Sequence, residues 1–229
     1  MKSPALGKRL LSASGFVRQG AYFADIGTDH AYLPLFLLGE GRISRAVCAD
    51  INEGPLDSAR RNAEEFGYTD SVSFVLTDGA EGLSDMGITD YAICGMGGEL
   101  IAHIIENAPH LRDSGVNLIL QPMSRQAFLR KYLTSHGFEI KSESYSFDSG
   151  KYYVCLLATY VGKERTIDSI EAELGICGAD YYGRESRIGY IKNILAARCR
   201  AFEGKLQGGV ENDEEKKIID ALEKLLAEL

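Results

Sequence analysis

The segment FEIKSESYSFDSGKYYVCLLATYV, residues 138–161, distinguishes between the α/β folds that this chain could adopt. It contains two strand-like runs, at roughly 138–147 and 151–161, with Asp-Ser-Gly between them. Two runs joined by a short glycine-containing connection indicate a β-hairpin. Because a hairpin pairs its strands antiparallel, we expect an antiparallel pair at one edge of the sheet.

Upstream of the hairpin, strand-like apolar runs alternate with segments of helical periodicity. Strands that alternate with single helices indicate a parallel sheet covered on both faces. Five parallel strands and a terminal hairpin form the seven-stranded, Rossmann-like α/β sheet of class I methyltransferases, whereas a dehydrogenase-type domain ends on another parallel strand. The predicted strands occupy residues 21–26, 43–51, 71–77, 87–95 and 115–122, and the predicted helices 31–41, 54–68, 99–109 and 125–137.

The character of the sequence changes at about residue 163. Apolar residues then recur at three- and four-residue spacing in two segments, 188–202 and 218–226, with a Gly-Gly break between them. Two antiparallel helices packed as a short coiled coil would account for both stripes. We therefore expect an α/β domain at residues 1–162 and a small helical, coiled-coil-like domain at residues 163–229.

The charge balance and the apolar runs narrow the function classes. The 229-residue chain has a formal net charge of −8, which argues against non-specific nucleic-acid binding by the surface as a whole. Basic residues nevertheless gather near the N-terminus and in residues 184–205, so a local basic face remains open beside ordinary solvated charge. Neither a membrane span nor a signal-peptide core is present, and we expect a cytoplasmic protein.

The cysteines and histidines do not form a metal-binding pattern. None of the five cysteines stands two or three residues from another, so buried reduced thiols are expected. His103, His110 and His136 have no partner at metal-ligand spacing, and His30 is adjacent to Asp29, which is poor geometry for joint chelation. We therefore predict no metal site.

The segment Gly-Thr-Asp-His, residues 27–30, follows the first predicted strand, at the edge where such sheets bind ligands. The G-x-G-x-x-G pattern of a dinucleotide loop is absent. A carboxylate at Asp29 would repel a pyrophosphate and favour a cationic ligand, such as the ammonium and sulfonium groups of S-adenosylmethionine (SAM). The alternative is that Asp29 caps the helix that begins near Ala31.

Acidic residues stand at the ends of the first three predicted strands. Asp25, in the first strand, could accept hydrogen bonds from a ligand or hold the loop. Asp50 stands where a carboxylate binds the hydroxyls of an adenosine ribose, with Asn52 able to assist. Asp78, before Gly79, could accept the exocyclic amine of adenine, although Asp-Gly is also a common turn pair.

The segment ICGMGG, residues 93–98, ends the fourth predicted strand, next to the reacting groups in this architecture. It lacks the Asp/Asn-Pro-Pro-aromatic sequence of many amino-methylating enzymes. Its glycines offer backbone groups and room for a flat base, or they serve only close helix packing. Gln121 ends the fifth strand, with an amide that can donate and accept.

These motifs together resemble the TrmK family of bacterial tRNA adenine N1-methyltransferases, which act on adenine at position 22. The helical tail also resembles that family's coiled-coil appendage. The matching stretches are ADIGTDHAYLP (24–34), TDGAEGL (77–83), ICGMGGELI (93–101), LILQP (118–122) and GKYYVCLLATY (150–160).

The resemblance implies SAM as cofactor, tRNA as substrate and direct attack by adenine N1 without a general base. The target base would have to be exposed from its paired helix. The catalytic residues would be Asp29, Gly95 and Met96. The cofactor would be bound by Asp25, Gly27, Thr28, Asp29, His30, Asp50, Asn52, Asp78, Gly79, Cys94 and Gly95, and the tRNA by Gly97, Gly98, Gln121, Lys8, Arg9, Arg184 and Arg187.

Three alternatives stay open at this point. The chain could be a SAM-dependent methyltransferase with another nucleic-acid or small-molecule substrate. It could be a non-catalytic nucleotide-binding module that uses NAD, although the hairpin and Asp29 argue against NAD. It could also be an interaction protein that works through its helical tail. The oligomeric state is not predicted.

Overall fold

A computed structural model describes residues 2–175, 184–207 and 213–229. Seven strands form one sheet in the order β3-β2-β1-β4-β5-β7-β6. Strands β1 to β5 are parallel, and β7 runs antiparallel to both β5 and β6. The predicted class I methyltransferase sheet with its terminal hairpin is therefore confirmed. The strands are β1 Phe23–Ile26, β2 Ala46–Asp50, β3 Val72–Leu76, β4 Asp90–Gly97, β5 Asn117–Ser124, β6 Phe138–Asp148 and β7 Lys151–Tyr160.

The helices flank this sheet close to their predicted positions. One of them, α1, was not predicted, because Lys8 and Arg9 interrupt its short apolar run and Gly7 at its N-cap makes no side-chain capping bond. The helices are α1 Lys8–Ser14, α2 Tyr32–Gly39, α3 Glu53–Phe66, α4 Gly98–Asn107, α5 Gln126–Ser135, α6 Ser169–Leu174, α7 Arg184–Gln207 and α8 Asp213–Glu228.

The central strands are buried on both faces, and successive residues point to opposite layers. Ala24 and Val47 belong to the apolar cluster of one layer, and Phe23 and Cys48 to that of the other. The expected reduced thiols are confirmed for Cys48 and Cys155, which are free and buried, while Cys94 and Cys199 are free and half-buried. Cys177 lies outside the described residues.

Two element bounds are set by local features that the hydrophobic periodicity does not show, a β-bulge in β4 and a capping residue before α6. Strand β4 continues to Gly97, beyond the predicted end at residue 95, because a β-bulge after Cys94 lets Met96 and Gly97 stay paired with β5. Helix α6 begins at Ser169, six residues after the start of the helical domain expected from residue 163. Its N-cap Asp168 accepts a hydrogen bond from the Glu171 amide at 2.7 Å, which sets the start of the helix.

The C-terminal helices pack on the hairpin side of the sheet. Tyr190 and Leu222 are buried in the same apolar cluster as strand residues, and α7 and α8 pack against each other. Beneath them, the buried Arg130 donates to both carboxylate oxygens of Glu143 at 2.7 and 2.9 Å, and to the Ala172 carbonyl oxygen at 2.9 Å. The predicted boundary at residue 163 and the coiled coil stay predictions. Within the described ranges, no helix is long and apolar enough to cross a membrane.

Candidate active site

The candidate site lies at the carboxyl edge of β1 to β5. Parallel strands end at the same edge, so the segments that leave them face one crevice. Three acidic predicted residues, Asp25, Asp29 and Asp50, lie on the β1–β2 side of that edge, whereas the glycines of residues 95–98 lie on the β4 side.

The β1 loop is folded onto β2 by hydrogen bonds. The amides of Gly27 and Thr28 donate to the Ala49 carbonyl oxygen at 2.8 and 3.0 Å. The Thr28 hydroxyl donates to the buried Asp25 carboxylate at 2.8 Å. Burial, and to a smaller extent the nearby Asp50, raise the pKa of Asp25 from 3.8 to about 6. The hydrogen bond from Thr28 and the charge of Arg9 oppose this rise. Asp25 therefore holds the loop and carries a carboxylate that is costly to ionise.

Gly27 lets the β1 loop and the β4 segment approach each other. Its φ is +72°, and a Cβ atom there would lie 2.1 Å from the Met96 Cε. A side chain at this position would therefore be strained and would displace Met96. Two predicted site residues that are distant in sequence are thereby in contact.

Asp29 does not cap helix α2. The N-cap is Ala31, in left-handed conformation with φ of 56°, and no side chain bonds to the helix start. The capping alternative is thus wrong. The Asp29 side chain is 78% exposed and lies 3.3 Å from His30 Nε2, while the His30 ring stacks on Tyr32. The loop therefore presents a carboxylate to the solvent at the strand edge.

Asp50 ends β2 beside two exposed apolar side chains that sequence reasoning missed. Its carboxylate accepts a hydrogen bond from the Asn52 amide at 2.8 Å. Ile51 is 59% exposed, and Leu76, the register partner of Asp50 in β3, is 54% exposed. Large apolar residues in such positions suit the faces of a flat ligand ring. The sequence signal for this apolar contact was Ile51, an apolar residue directly after the acidic residue that ends the strand.

Asp78 is exposed after β3, where the chain makes a turn. The Glu81 amide donates to the Asp78 carbonyl oxygen at 3.3 Å, and Gly79 has a φ of +55°. The turn interpretation of this Asp-Gly pair is therefore correct, and the turn leaves the carboxylate exposed at the edge.

A β-bulge shapes the β4 side of the site. The register between β4 and β5 shifts between Cys94 and Met96, so Gly95 is the extra residue. Gly95 has a φ of +80°, and its amide donates to the side-chain oxygen of Gln121 at 3.1 Å. The same oxygen accepts from Arg9 Nη1 at 2.6 Å, and Gln121 is fully buried. Arg9 is thereby brought from the N-terminal helix to the crevice.

Gly98 supports the packing interpretation of the glycine motif. A Cβ atom there would lie 2.6 Å from the Arg125 carbonyl oxygen, so only glycine lets α4 begin this close to the β5–α5 connection. At Gly97 the nearest atom to such a Cβ is the Ser124 hydroxyl oxygen, at 3.3 Å. Arg125 itself has a φ of 59°, which marks a strained connection at the crevice.

Known proteins match both the sequence and the fold of this chain. Residues 6–156 match the methyltransferase domain family. The chain is 31% identical over 192 residues to the tRNA (adenine(22)-N(1))-methyltransferase of Bacillus subtilis, covering 84% of this chain and 81% of that protein. The chain belongs to the tRNA (adenine(22)-N(1))-methyltransferase family.

Solved structures extend the match to nearly the whole chain. A putative tRNA (m1A22) methyltransferase of Streptococcus pneumoniae, in complex with S-adenosyl-L-methionine, is 30% identical with a TM-score of 0.81, covering 97% of this chain and 100% of that one. The B. subtilis m1A22 tRNA methyltransferase TrmK is 28% identical with a TM-score of 0.77, covering 98% of each chain. The helical tail is thus part of the shared architecture.

The basic residues predicted to contact RNA lie on two helices of this methyltransferase, α1 and α7. Lys8 and Arg184 are exposed on α1 and α7, Arg187 is half-buried, and Arg9 is turned into the crevice. Arg198, a further basic residue of the tail, is paired with Glu173 and with Glu215 and is thereby neutralised. In the part of the chain that the structure describes, no group of three or more His, Cys, Asp or Glu side chains could hold a metal ion.

Proposed function

We propose that this protein transfers the methyl group of SAM to N1 of adenine at position 22 of tRNA. The proposal rests on the family membership and on one structural observation. Carboxylates and exposed apolar side chains line the β1–β3 half of the strand edge, and glycine backbone lines the β4 part. This arrangement suits a cationic adenosine cofactor beside a flat base.

The residues of the β1–β3 half fit the parts of SAM. Asp25 is a buried carboxylate whose side-chain partner is the neutral Thr28, so a cationic ligand would relieve the cost of its charge. We assign the methionine ammonium to the loop of residues 27–30 with Asp29. We assign the ribose hydroxyls to Asp50, and the adenine ring to Ile51 and Leu76, with Asp78 at its amine. When bound, SAM supplies an electrophilic methyl group on a positively charged sulfur.

The β4 segment needs to position the adenine and does not need to supply a general base. Adenine N1 has an in-plane lone pair, so no proton has to be removed before it attacks. Burial raises the pKa of the Cys94 thiol to about 12, which keeps it neutral at physiological pH. Residues 94–98 would therefore act through proximity, alignment and exclusion of water, which are effects of position rather than of titration.

The RNA has to deliver an unpaired nucleotide to this edge. N1 lies on the Watson–Crick edge of adenine, so the base must leave its pair before it can react. Lys8, Arg9, Arg184 and Arg187 are the proposed phosphate contacts, which would position the RNA without reading its sequence. A tRNA substrate favours the cytoplasm as the place of the reaction.

Methylation of defined transcripts tests the function. The protein is incubated with methyl-labelled SAM and unmodified tRNA, and the modified position is mapped by reverse-transcription arrest. Label at adenine 22, absent from a transcript with guanine at that position, supports the proposal. Label at another nucleotide contradicts the substrate assignment. SAM binding without RNA labelling would favour a methyltransferase of another substrate class.

A further inference from the structure

Helix α1 is anchored on the hairpin and carries Arg9 to the strand edge. The Arg9 amide donates to the Asp148 carboxylate at 3.0 Å, and the hydroxyls of Ser12 and Ser144 share a buried hydrogen bond of 2.7 Å. Gly7 allows this approach, because a Cβ atom there would lie 2.5 Å from an Asp148 carboxylate oxygen. The backbone of Arg9 is therefore fixed, and its guanidinium passes 5.9 Å from the Tyr153 ring centre.

The Gln121 amide is an internal link rather than an exposed contact. It is fully buried, its oxygen accepts from Arg9 Nη1 and from the Gly95 amide, and its Nε2 donates to the Pro122 carbonyl oxygen at 3.2 Å. Both ends of the amide are thus used inside the protein. This geometry favours a positioning role over the tRNA contact predicted for Gln121.

The bulge explains why Gly95 needs that link. An extra residue in a strand leaves its amide outside the regular ladder, and a polar group without a partner costs free energy. The Gln121 side chain supplies the missing acceptor for Gly95. Gly95 is exposed at the crevice although its partner is buried, so the link sets the path of the segment that faces a substrate.

The charge of Arg9 argues against a contact with the cationic groups of the cofactor. Its guanidinium is close enough to oppose the raised pKa values of Asp25 and Cys94. A cation in that position would repel the sulfonium and ammonium groups of SAM. Arg9 could still act through its hydrogen bond to Gln121 or through attraction for an anion, either the methionine carboxylate of SAM or an RNA phosphate.

We propose that Arg9 is a positioning residue that acts through Gln121 to fix the Gly95 bulge for methyl transfer. The proposal rests on the methyltransferase function above. Displacing a reacting group by about 1 Å can lower a rate about 100-fold, so loss of the link should appear in the chemical step. Binding of SAM should change little.

Single-turnover methylation at saturating SAM and tRNA measures that step. Arg9→Met and Gln121→Leu should each lower the rate constant at least about tenfold, and the double variant should fall no further, because both changes break one link. Arg9→Lys keeps a cationic donor and should lose less than Arg9→Met. Lys141→Met removes a cation that is paired with Glu139 on β6 and serves as the control.

A second measurement does not depend on RNA. Hydrogen–deuterium exchange of a peptide spanning residues 93–98 should speed up in both Arg9→Met and Gln121→Leu, with the thermal midpoint and the SAM affinity confirming that each variant is folded. Unchanged exchange would overturn the link. So would an Arg9→Met variant that weakens RNA binding alone, or losses that add in the double variant. An inactive wild-type protein would count against the proposed function, while the exchange result would still decide the link.

Discussion

The carboxyl edge of the sheet has two halves, one lined mainly by side chains and the other mainly by backbone. The β1–β3 half presents charged side chains, Asp25, Asp29 and Asp50, beside the exposed Ile51 and Leu76. The β4–β5 half presents backbone, with a bulge at Gly95 and a helix start packed against a carbonyl oxygen. Charge can select a cationic ligand, whereas close-packed backbone can fix the position of a neutral base.

The two halves also store free energy differently. Burial of Asp25 raises the free energy of its ionised form, and a bound cation would lower it. Gly95 and Gly98 hold backbone conformations or contacts that other residues would strain. Substitutions in the first half should therefore lower cofactor affinity, and substitutions in the second half should lower stability and rate.

The largest effect is expected for Asp25→Asn. The amide keeps an acceptor for Thr28 but loses the charge, so SAM affinity should fall about 30- to 100-fold. The apo protein should become more stable above pH 6, by up to roughly 3 kcal/mol, because the cost of ionising the carboxylate disappears. Calorimetric titration and urea unfolding measure the two effects. Asp70→Asn, in the turn before β3, is the control, and an Asp25→Asn variant with unchanged SAM affinity would remove Asp25 from the cofactor site.

The pH dependence of the wild-type protein follows from the same group. The pKa of Asp25 is raised from 3.8 to about 6, so the folded protein binds this proton more tightly than the unfolded chain does. Its contribution to the free energy of unfolding is greatest below pH 3.8 and is lost as the pH rises through about 6. SAM affinity should move oppositely and fall by up to tenfold per pH unit below about 6, since a cation favours the ionised carboxylate. Affinity that does not change between pH 5 and 7 would contradict this coupling.

Gly98→Ala tests the backbone half. Its new Cβ would meet the Arg125 carbonyl oxygen at 2.6 Å, so the start of α4 must shift. We expect a loss of about 1–3 kcal/mol in the free energy of unfolding and a lower methylation rate. Gly97→Ala is the matched control, because its Cβ would meet a hydroxyl oxygen at 3.3 Å. Equal losses in the two variants would show that backbone contact at Gly98 is not what fixes this half.

Asp29→Ala tests whether an exposed carboxylate of the charged half contributes to SAM affinity. SAM affinity should fall about tenfold, which is the loss of one exposed charged contact. Stability should stay within about 0.5 kcal/mol, because the side chain is exposed and caps no helix. Calorimetry and urea unfolding again separate the two. Lost stability with intact SAM affinity would return Asp29 to a structural role.

The same division separates what the sequence could predict from what it could not. Acidic residues at strand ends and the hairpin can be recognised from local sequence patterns. The positions of Asp50 at the end of β2 and of Asp78 after β3, and the antiparallel β6–β7 pair, were therefore predicted correctly. The link from Arg9 to Gln121 joins residues 112 positions apart, and no periodicity records such a contact. The bulge at Gly95 was hidden for a related reason, since glycine is equally compatible with a turn and with a bulged strand.

The smallest effect is expected far from this edge, for the double reversal Arg184→Glu and Arg187→Glu. Two exposed or half-buried cations on α7 are screened by salt, so tRNA affinity should weaken only about five- to tenfold at moderate ionic strength. Glutamate at the start of α7 suits the helix dipole, and a loss of binding would therefore not reflect an unstable helix. Filter binding with the double reversal Lys217→Glu and Lys224→Glu on α8 as the matched control, and calorimetry with SAM, test this. Unchanged tRNA affinity would leave RNA recognition to α1 and the strand edge, and the tail would then serve chiefly to cover the hairpin side of the sheet.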